Sequence, residues 1–192
     1  MNVLIGITGA SGVIYAKRLL KRLVGKGHDI SVVYSKYAKV VIKEELGGDL
    51  EYLDGVKEFG PSSMHVPFAS GSNVPDVMVV IPCSMGTLGR IAHGYSQDAM
   101  ARGADVVLKE KRRLIVVPRE TPVNLIHIKN LEILQLAGAH IIPASPSFYS
   151  MPTTIEELVD TVVARVLDNM GISQNFMPKW QDDIEDRANQ SN

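Results

Sequence analysis

The sequence has little of several residue types, and each scarcity narrows what the chain can be. Only one of its 192 residues is cysteine, which excludes an internal disulfide and is typical of a reducing compartment. No run approaches the roughly 18 consecutive apolar residues that a membrane-spanning helix needs. Met1 leads directly into an apolar segment without a signal-peptide pattern. We therefore expect a cytoplasmic protein.

The chain also has no large excess of positive or negative charge, and it has few aromatic side chains. The 20 basic residues stand against 21 acidic ones, so nothing attracts the whole chain to nucleic acid or to anionic membranes. Aromatic residues make up 6% of the chain, whereas hydrophobic residues make up 45%. The core must therefore consist mainly of Val, Ile, Leu and Ala, which is typical of a parallel sheet flanked by helices.

Apolar runs that read as buried strands alternate with segments of helical periodicity. The runs begin at Val3, Ile30, Val77, Leu114 and His140. This alternation predicts an α/β protein with a doubly wound, three-layer, Rossmann-like fold and a mainly parallel sheet of five strands. We assign residues 1–180 to one such domain and residues 181–192 to a polar C-terminal tail. Residues 49–75 show only weak periodicity.

The first predicted strand ends in a loop of small residues, from Thr8 to Gly12. Gly9 and Gly12 permit backbone conformations closed to other residues, Ser11 offers a hydroxyl, and the free N–H groups of the following helix attract phosphate. A tight turn from strand to helix needs glycine even when nothing binds there, so this loop alone is ambiguous.

The second predicted strand ends at Ser35 and Lys36. A dinucleotide-binding fold usually carries an acidic residue at this point, where it holds the ribose of NAD. Lys36 could hold a 2′-phosphate instead, which leaves an NADP reductase as a distant alternative.

Two more loops follow strands, over Ser84–Thr87 and Pro118–Pro122. Ligands of open α/β sheets bind outside the carboxyl ends of the strands, so we expect all these loops to line one crevice. Arg119 and Glu120 could form a phosphate-binding fork beside a titratable acid, or merely a surface ion pair. Cys83 has no evident neighbouring base, which favours a packed thiol over a nucleophile.

Four motifs, in this order, resemble those of the UbiX-type flavin prenyltransferases, which are related to the homo-oligomeric flavin-containing cysteine decarboxylases. The motifs are Thr8–Gly12, Pro82–Thr87, Arg102–Glu110 and Pro118–Pro122, followed by Tyr149, Arg165 and Trp180. The resemblance implies a metal-independent enzyme that transfers a dimethylallyl group from dimethylallyl monophosphate to N5 and then C6 of reduced FMN. It also implies a homo-oligomer, a dodecamer, whose prenylated FMN product serves a UbiD-type decarboxylase.

The resemblance further implies roles for individual residues. The positions that match FMN contacts are Gly9, Ala10, Ser11, Ser35, Ser84, Met85, Gly86, Thr87 and Arg119. The positions that match contacts to the prenyl phosphate are Tyr149 and Arg165 and, from a neighbouring subunit, Arg102 and Lys109. The positions that match catalytic residues are Ser11 and Glu120, for proton transfer, and Trp180, beside the allyl group.

Some residues depart from the family pattern, and two other functions stay open. The departures are Gly89, Arg90, the segment Gln97–Met100 and Gly103. One alternative is a flavin-dependent oxidative decarboxylase of a cysteine-containing substrate, although those relatives carry Pro-Ala-Ser-Ala-Asn-Thr in place of Pro82–Thr87. The other is a non-catalytic FMN-binding subunit, which leaves Glu120 and the phosphate-binding residues unexplained.

Overall fold

The computed structural model describes residues 1–52, 54–63 and 65–177. Strands and helices alternate along these ranges, which confirms the predicted α/β class. In chain order the elements are β1 (Asn2–Ile7), α1 (Val13–Leu23), β2 (Asp29–Tyr34), α2 (Ala38–Leu46), β3 (Lys57–Phe59), β4 (Val77–Cys83), α3 (Met85–Ala92), α4 (Ala99–Lys109), β5 (Arg113–Pro118), α5 (Leu125–Leu136), β6 (His140–Ile141) and α6 (Ile155–Met170). Two single-turn 3₁₀ helices, Pro67–Ala69 and Gly71–Asn73, lie between β3 and β4. None of the helices in these ranges combines the length and apolar character needed to cross a membrane.

The strands form one sheet in the order β3-β2-β1-β4-β5-β6, and every neighbouring pair is parallel. Strand order reverses between β1 and β4, because the chain adds strands outward from β1 in one direction and then outward from β4 in the other. Such a reversal opens a crevice at the carboxyl ends of the two strands, where ligands of this fold class bind.

The sheet is buried on both faces. Side chains alternate along β1: Val3, Ile5 and Ile7 pack with α1, α2 and α6, whereas Leu4 packs with α3 and α4 on the other face. Because a β-strand covered on both sides needs apolar residues at every position, the continuous runs seen in the sequence are explained. The predicted three layers are thereby confirmed.

The sequence-based prediction missed one strand. β3, with the sequence Lys-Glu-Phe, is a short edge strand that pairs with β2. Lys57 binds Asp29 at 3.0 Å, and the hydroxyl of Tyr34 donates to Glu58 at 2.6 Å. A three-residue strand with two charged side chains shows neither an apolar run nor a readable alternation, so this part of residues 49–75 gave no signal.

The helix α5 has a buried side that is partly polar. Asn130 is buried at the inner side, where its Oδ1 lies 3.0 Å from Nε2 of His93. Leu125 and Ile126 are each 69% exposed, and Leu136 is 82% exposed. Apolar residues occur on nearly every side of this helix, so periodicity could not select the buried face.

Candidate active site

Thr8 joins the loops that follow β1 and β4. Its side chain is fully buried, and its hydroxyl donates to the carbonyl of Pro82 at 2.7 Å. The same oxygen accepts the N–H groups of Ala10 at 3.2 Å and Ser84 at 2.9 Å. The hydroxyl of Thr8 therefore connects the two loops.

Arg119 attaches the loop after β5 to the other two. Its backbone N–H donates to the carbonyl of Cys83 at 3.1 Å, and its side-chain Nε donates to the carbonyl of Ser11 at 3.1 Å. The loops after β1, β4 and β5 thus converge at the carboxyl edge of the sheet. Glu120 follows directly in this loop; it is exposed, and its Oε1 accepts the N–H of Thr121 at 3.1 Å.

A cavity of about 620 Å³, here called the carboxyl-edge cavity, opens at the reversal between β1 and β4. The predicted FMN-contacting residues that line it are Gly9, Ser35, Ser84, Gly86 and Thr87. The other lining residues are Lys36, Tyr37, Pro61, Arg90, Gln97 and Asp98. Its volume falls within the range of small-molecule and cofactor sites. A second cavity of about 430 Å³, the amino-edge cavity, is lined by Lys111, Arg112, Arg113 and His140 among others, at the end of the sheet where such ligands do not usually bind.

The remaining predicted FMN-contacting residues lie in or below the same loops. Ala10 and Met85 are buried, whereas Ser11 is exposed and is joined to the partly exposed Arg119. The structure therefore brings the predicted flavin residues together in one region.

Gly9 allows the loops after β1 and β2 to pass closely. A Cβ placed on Gly9 would lie 2.7 Å from Cβ of Tyr37, which is closer than real Cβ atoms approach. Glycine is therefore required at this position by packing rather than by a left-handed backbone.

The cavity fits a flavin nucleotide in the chemistry of its lining. Ser35, Ser84 and Thr87 supply hydroxyl groups, and Lys36 and Arg90 supply positive charge. Nε of Arg90 is buried and makes no hydrogen bond with any residue in the described ranges. Oδ2 of Asp98 lies 3.4 Å away as an ion-pair partner without forming a hydrogen bond, so this N–H can still donate to an oxygen-rich ligand.

The N-terminus of α1 does not offer the free N–H groups that the sequence predicts. The N–H groups of Gly12 and Val13 each donate to the carboxylate of Glu45, with a shortest distance of 2.9 Å in each case. Glu45 lies near the end of α2, and its negative charge is favoured at a helix N-terminus. No sequence pattern identifies this contact, since Gly12 and Glu45 are 33 residues apart.

Tyr149 and Arg165 lie on neighbouring elements. Tyr149 is 41% exposed in the loop after β6. That loop contacts α6 through Ser147, whose N–H donates to Oγ1 of Thr161 at 3.1 Å. Arg165 follows Thr161 by about one turn on α6 and is exposed.

Arg102 and Lys109 lie on α4, and each has a partner in its own chain. Arg102 donates from Nε to the carbonyl of Ala69 at 3.1 Å and pairs with Asp105 at 2.8 Å. Lys109 pairs with Glu110 at the opposite end of α4, about 16 Å along the axis from the helix start beside the cavity. Lys109 therefore does not reach the carboxyl-edge cavity of its own chain. Trp180 lies outside the described residues.

Cys83 is a packed thiol, which confirms the interpretation that the sequence favours. The side chain is fully buried at the end of β4, and burial raises the pKa of the thiol to about 12. The neutral thiol is a poor nucleophile. Within the described ranges, no three His, Cys, Asp or Glu side chains cluster in a way that could hold a metal ion.

Comparison with known proteins identifies the family and the relatives of this chain. The profile of the flavoprotein family matches residues 1–167. Flavin prenyltransferase UbiX from Methanocaldococcus jannaschii is 43% identical over 182 residues, which cover 94% of this chain and 98% of that relative. A dodecameric FMN-dependent UbiX-like decarboxylase from Escherichia coli O157:H7 has a TM-score of 0.90 at 38% identity, over 94% of this chain and 100% of that one. A UbiX protein solved with FMN and dimethylallyl pyrophosphate has a TM-score of 0.85 at 35% identity, over 94% and 98% of the two chains.

These similarities extend over nearly the whole chain, so they include the loops that form the candidate site. The motifs by which the sequence resembles the family lie in those loops and on α4. Sequence, fold and comparison agree, and the chain belongs to the UbiX flavin prenyltransferase family of flavoproteins.

Proposed function

We propose that this protein transfers a dimethylallyl group from dimethylallyl monophosphate to reduced FMN, with bonds formed at N5 and then at C6. The observation that carries the proposal is the convergence of the loops after β1, β4 and β5 beside a nucleotide-sized cavity. The family membership of the chain indicates which reaction this arrangement of loops would support, namely flavin prenylation. Reduced FMN supplies the two nucleophilic atoms that accept the prenyl group.

The flavin side of the site is formed by the carboxyl-edge cavity. The residues that would hold FMN are Gly9, Ala10, Ser11, Ser35, Ser84, Met85, Gly86, Thr87 and Arg119. Hydroxyl groups suit the phosphate, and the glycines let a ligand approach the backbone. The hydrogen bond from Nε of Arg119 to the carbonyl of Ser11 holds its side chain in place, which reduces the entropy lost when a ligand binds.

The prenyl side must stabilise charge when the allylic carbon–oxygen bond breaks. The departing phosphate, which takes up one proton to leave as a dianion, would be bound by Tyr149 and Arg165. Arg102 and Lys109 of a neighbouring subunit would add two further cations, in the role that magnesium plays with diphosphates. Trp180 would stabilise the allylic cation through the face of its ring.

Glu120 would accept the proton that flavin N5 loses on alkylation, and Ser11 would relay it. Glu120 is exposed to solvent and follows Arg119, whose side chain binds the carbonyl of Ser11. This bond keeps the two loops side by side, so a carboxylate acceptor and a hydroxyl relay lie on adjacent segments.

We propose that the enzyme works as a homo-oligomer, a dodecamer in the cytoplasm, and that its product serves a UbiD-type decarboxylase. The exposed aliphatic side of α5 supports assembly, because surfaces of this kind are usually covered by another subunit. The position of Lys109, remote from the cavity of its own chain, supports a site shared between subunits. A structural relative of 38% identity is dodecameric.

The activity is tested by incubating the protein with reduced FMN and dimethylallyl monophosphate without oxygen, followed by mass spectrometry of the extracted flavin. We expect the flavin to gain one C5H8 unit, and a reaction without the prenyl phosphate serves as the control. An unchanged flavin mass under these conditions contradicts the proposal. Release of carbon dioxide from a peptide with a C-terminal cysteine would favour the decarboxylase alternative instead.

A further inference from the structure

Residues that depart from the family pattern meet in the wall of the carboxyl-edge cavity. Arg90, Gln97 and Asp98 all line it, although they come from two different helices and the segment between them. Arg90 lies in the last turn of α3, and Asp98 is the N-cap residue of α4. Nε of Arg90 lies 3.4 Å from Oδ2 of Asp98. Three of the departures therefore lie together in one wall of the cavity.

Arg90 pairs with Asp98 only through a long contact, so its hydrogen-bonding capacity is not fully used within the described residues. One terminal nitrogen donates to Oγ1 of Thr87 at 3.0 Å, which fixes the guanidinium beside a predicted FMN-contacting residue. Nε is buried and makes no hydrogen bond with the described residues. The other terminal nitrogen, Nη1, lies 4.0 Å from the point where a Cβ on Gly86 would stand. Because guanidinium N–H groups can only donate, the ligand that satisfies them must carry acceptors.

The charge of the cavity wall favours an anion. Among the described residues, the cations that line the cavity are Lys36 and Arg90, and the acid is Asp98. The carboxylate of Asp98 is partly engaged elsewhere, since it accepts the N–H of Ala101 at 2.8 Å and so caps α4. Net positive charge beside the hydroxyl groups of Ser35, Ser84 and Thr87 matches a phosphomonoester, which takes hydrogen bonds from arginine and from hydroxyl groups.

We propose that Arg90 binds the phosphate group of the flavin nucleotide and is an additional specificity-determining residue of this enzyme. The inference rests on the proposed function only for the identity of the ligand as FMN. Arg90 makes this chain select FMN over riboflavin, because riboflavin has no phosphate for the guanidinium to bind.

The test compares the dissociation constants of FMN and riboflavin, measured by flavin fluorescence on the assembled protein. For Arg90→Gln we expect FMN to bind about 10-fold or more weakly, as for the loss of a hydrogen bond between charged groups, with riboflavin binding unchanged. Arg90→Lys keeps the charge and the ion pair with Asp98, so its loss of FMN affinity is smaller. Arg112→Gln removes one positive charge from the amino-edge cavity and leaves both affinities unchanged.

Equal weakening of FMN and riboflavin by Arg90→Gln would overturn the proposal, because the role of Arg90 would then be structural. Unchanged FMN affinity in that variant would overturn it too, and so would a selective loss of FMN in Arg112→Gln. Thermal unfolding of each variant shows whether it folds, and Arg90→Lys carries the test if Arg90→Gln does not. Since binding is measured without prenyl transfer, a protein that binds FMN selectively but forms no product refutes the proposed function and leaves this inference standing.

Discussion

The two sides of the candidate site are constructed differently. On the flavin side, the loops after β1 and β4 are joined by Thr8, which is fully buried, and Thr87 is 1% exposed. On the prenyl side, Glu120 and Tyr149 are exposed, and the neighbouring α5 presents aliphatic side chains to solvent. The difference agrees with the proposal that one chain shapes most of the nucleotide cavity and that further copies complete the prenyl side.

The largest effect that separates the two sides is expected for Glu120→Gln. The substitution removes a proton acceptor on the exposed side and leaves the cavity unaltered. We expect the rate of product formation to fall about 100- to 10,000-fold, the range for loss of a general base, with the FMN dissociation constant unchanged. Rates come from anaerobic flavin mass spectrometry and affinities from fluorescence titration, with Glu44→Gln at an exposed position of α2 as the control. Loss of FMN binding would show that Glu120 belongs to the flavin side.

Assembly is tested at Leu136, which is 82% exposed on α5. A charge at a buried subunit contact is costly, since it loses its hydration without gaining a partner. We expect Leu136→Glu to shift the protein to smaller species in multi-angle light scattering and to abolish product formation, while Leu136→Met keeps the assembly intact. If Leu136→Glu remains fully assembled, α5 does not contribute to the contact.

The cavity side is tested by Gly9→Ala. The new Cβ would meet Cβ of Tyr37 at 2.7 Å, and a Cβ atom cannot rotate away, so the loops after β1 and β2 must move apart. Overpacking of this kind costs about 1–3 kcal/mol, and we expect FMN to bind about 10-fold more weakly. Gly48→Ala is the matched control, because no atom lies within 4 Å of the Cβ it would add. Equal affinities in the two variants would refute the close approach.

The smallest effect concerns Asp160, which connects α6 to α1. Burial raises the pKa of this carboxyl, but hydrogen bonds and charge from Arg18 and Arg22 outweigh it and hold the pKa below its usual value. A carboxyl with a lowered folded-state pKa stabilises the fold above its unfolded pKa of about 4, and that stability is lost as pH falls further.

We therefore expect Asp160→Asn to lower the free energy of unfolding by about 2 kcal/mol at pH 7 and by less at pH 3. Thermal unfolding of wild type and variant at the two pH values measures this difference. A gap in melting temperature that is the same at both would show that the charge of Asp160 contributes nothing. Since α6 carries Thr161 and Arg165, a destabilised α6 would affect the prenyl side before the flavin side.

The sequence predicted the edge at which the site forms, and a simple physical reason explains why. Loops after parallel strands emerge at the same edge, so Gly9, Ser84 and Arg119 were expected to lie together as soon as their strands were recognised. The alternation of elements fixed the fold class, and the resemblance supplied the chemistry. None of these inferences required a specific contact between side chains.

What the sequence could not predict depends on contacts between distant residues. Glu45 binds the N-terminus of α1 because α2 folds against it, and Arg90 meets Asp98 because the chain turns between α3 and α4. The inner side of α5 combines buried Leu134 with the contact of Asn130 to His93, and the sequence does not single out that polar contact. Each of these features depends on a polar contact between residues that are separated in sequence, and hydrophobic periodicity carries no information about such contacts.

The central claim is that a flavin nucleotide binds in the carboxyl-edge cavity, at the reversal of strand order between β1 and β4. A crystal structure of the protein with FMN tests this claim most directly. The account predicts density for the nucleotide along Gly9, Ser35 and Thr87, with the phosphate against Arg90. Density in the amino-edge cavity beside Arg112, with the carboxyl-edge cavity free of flavin, would contradict it.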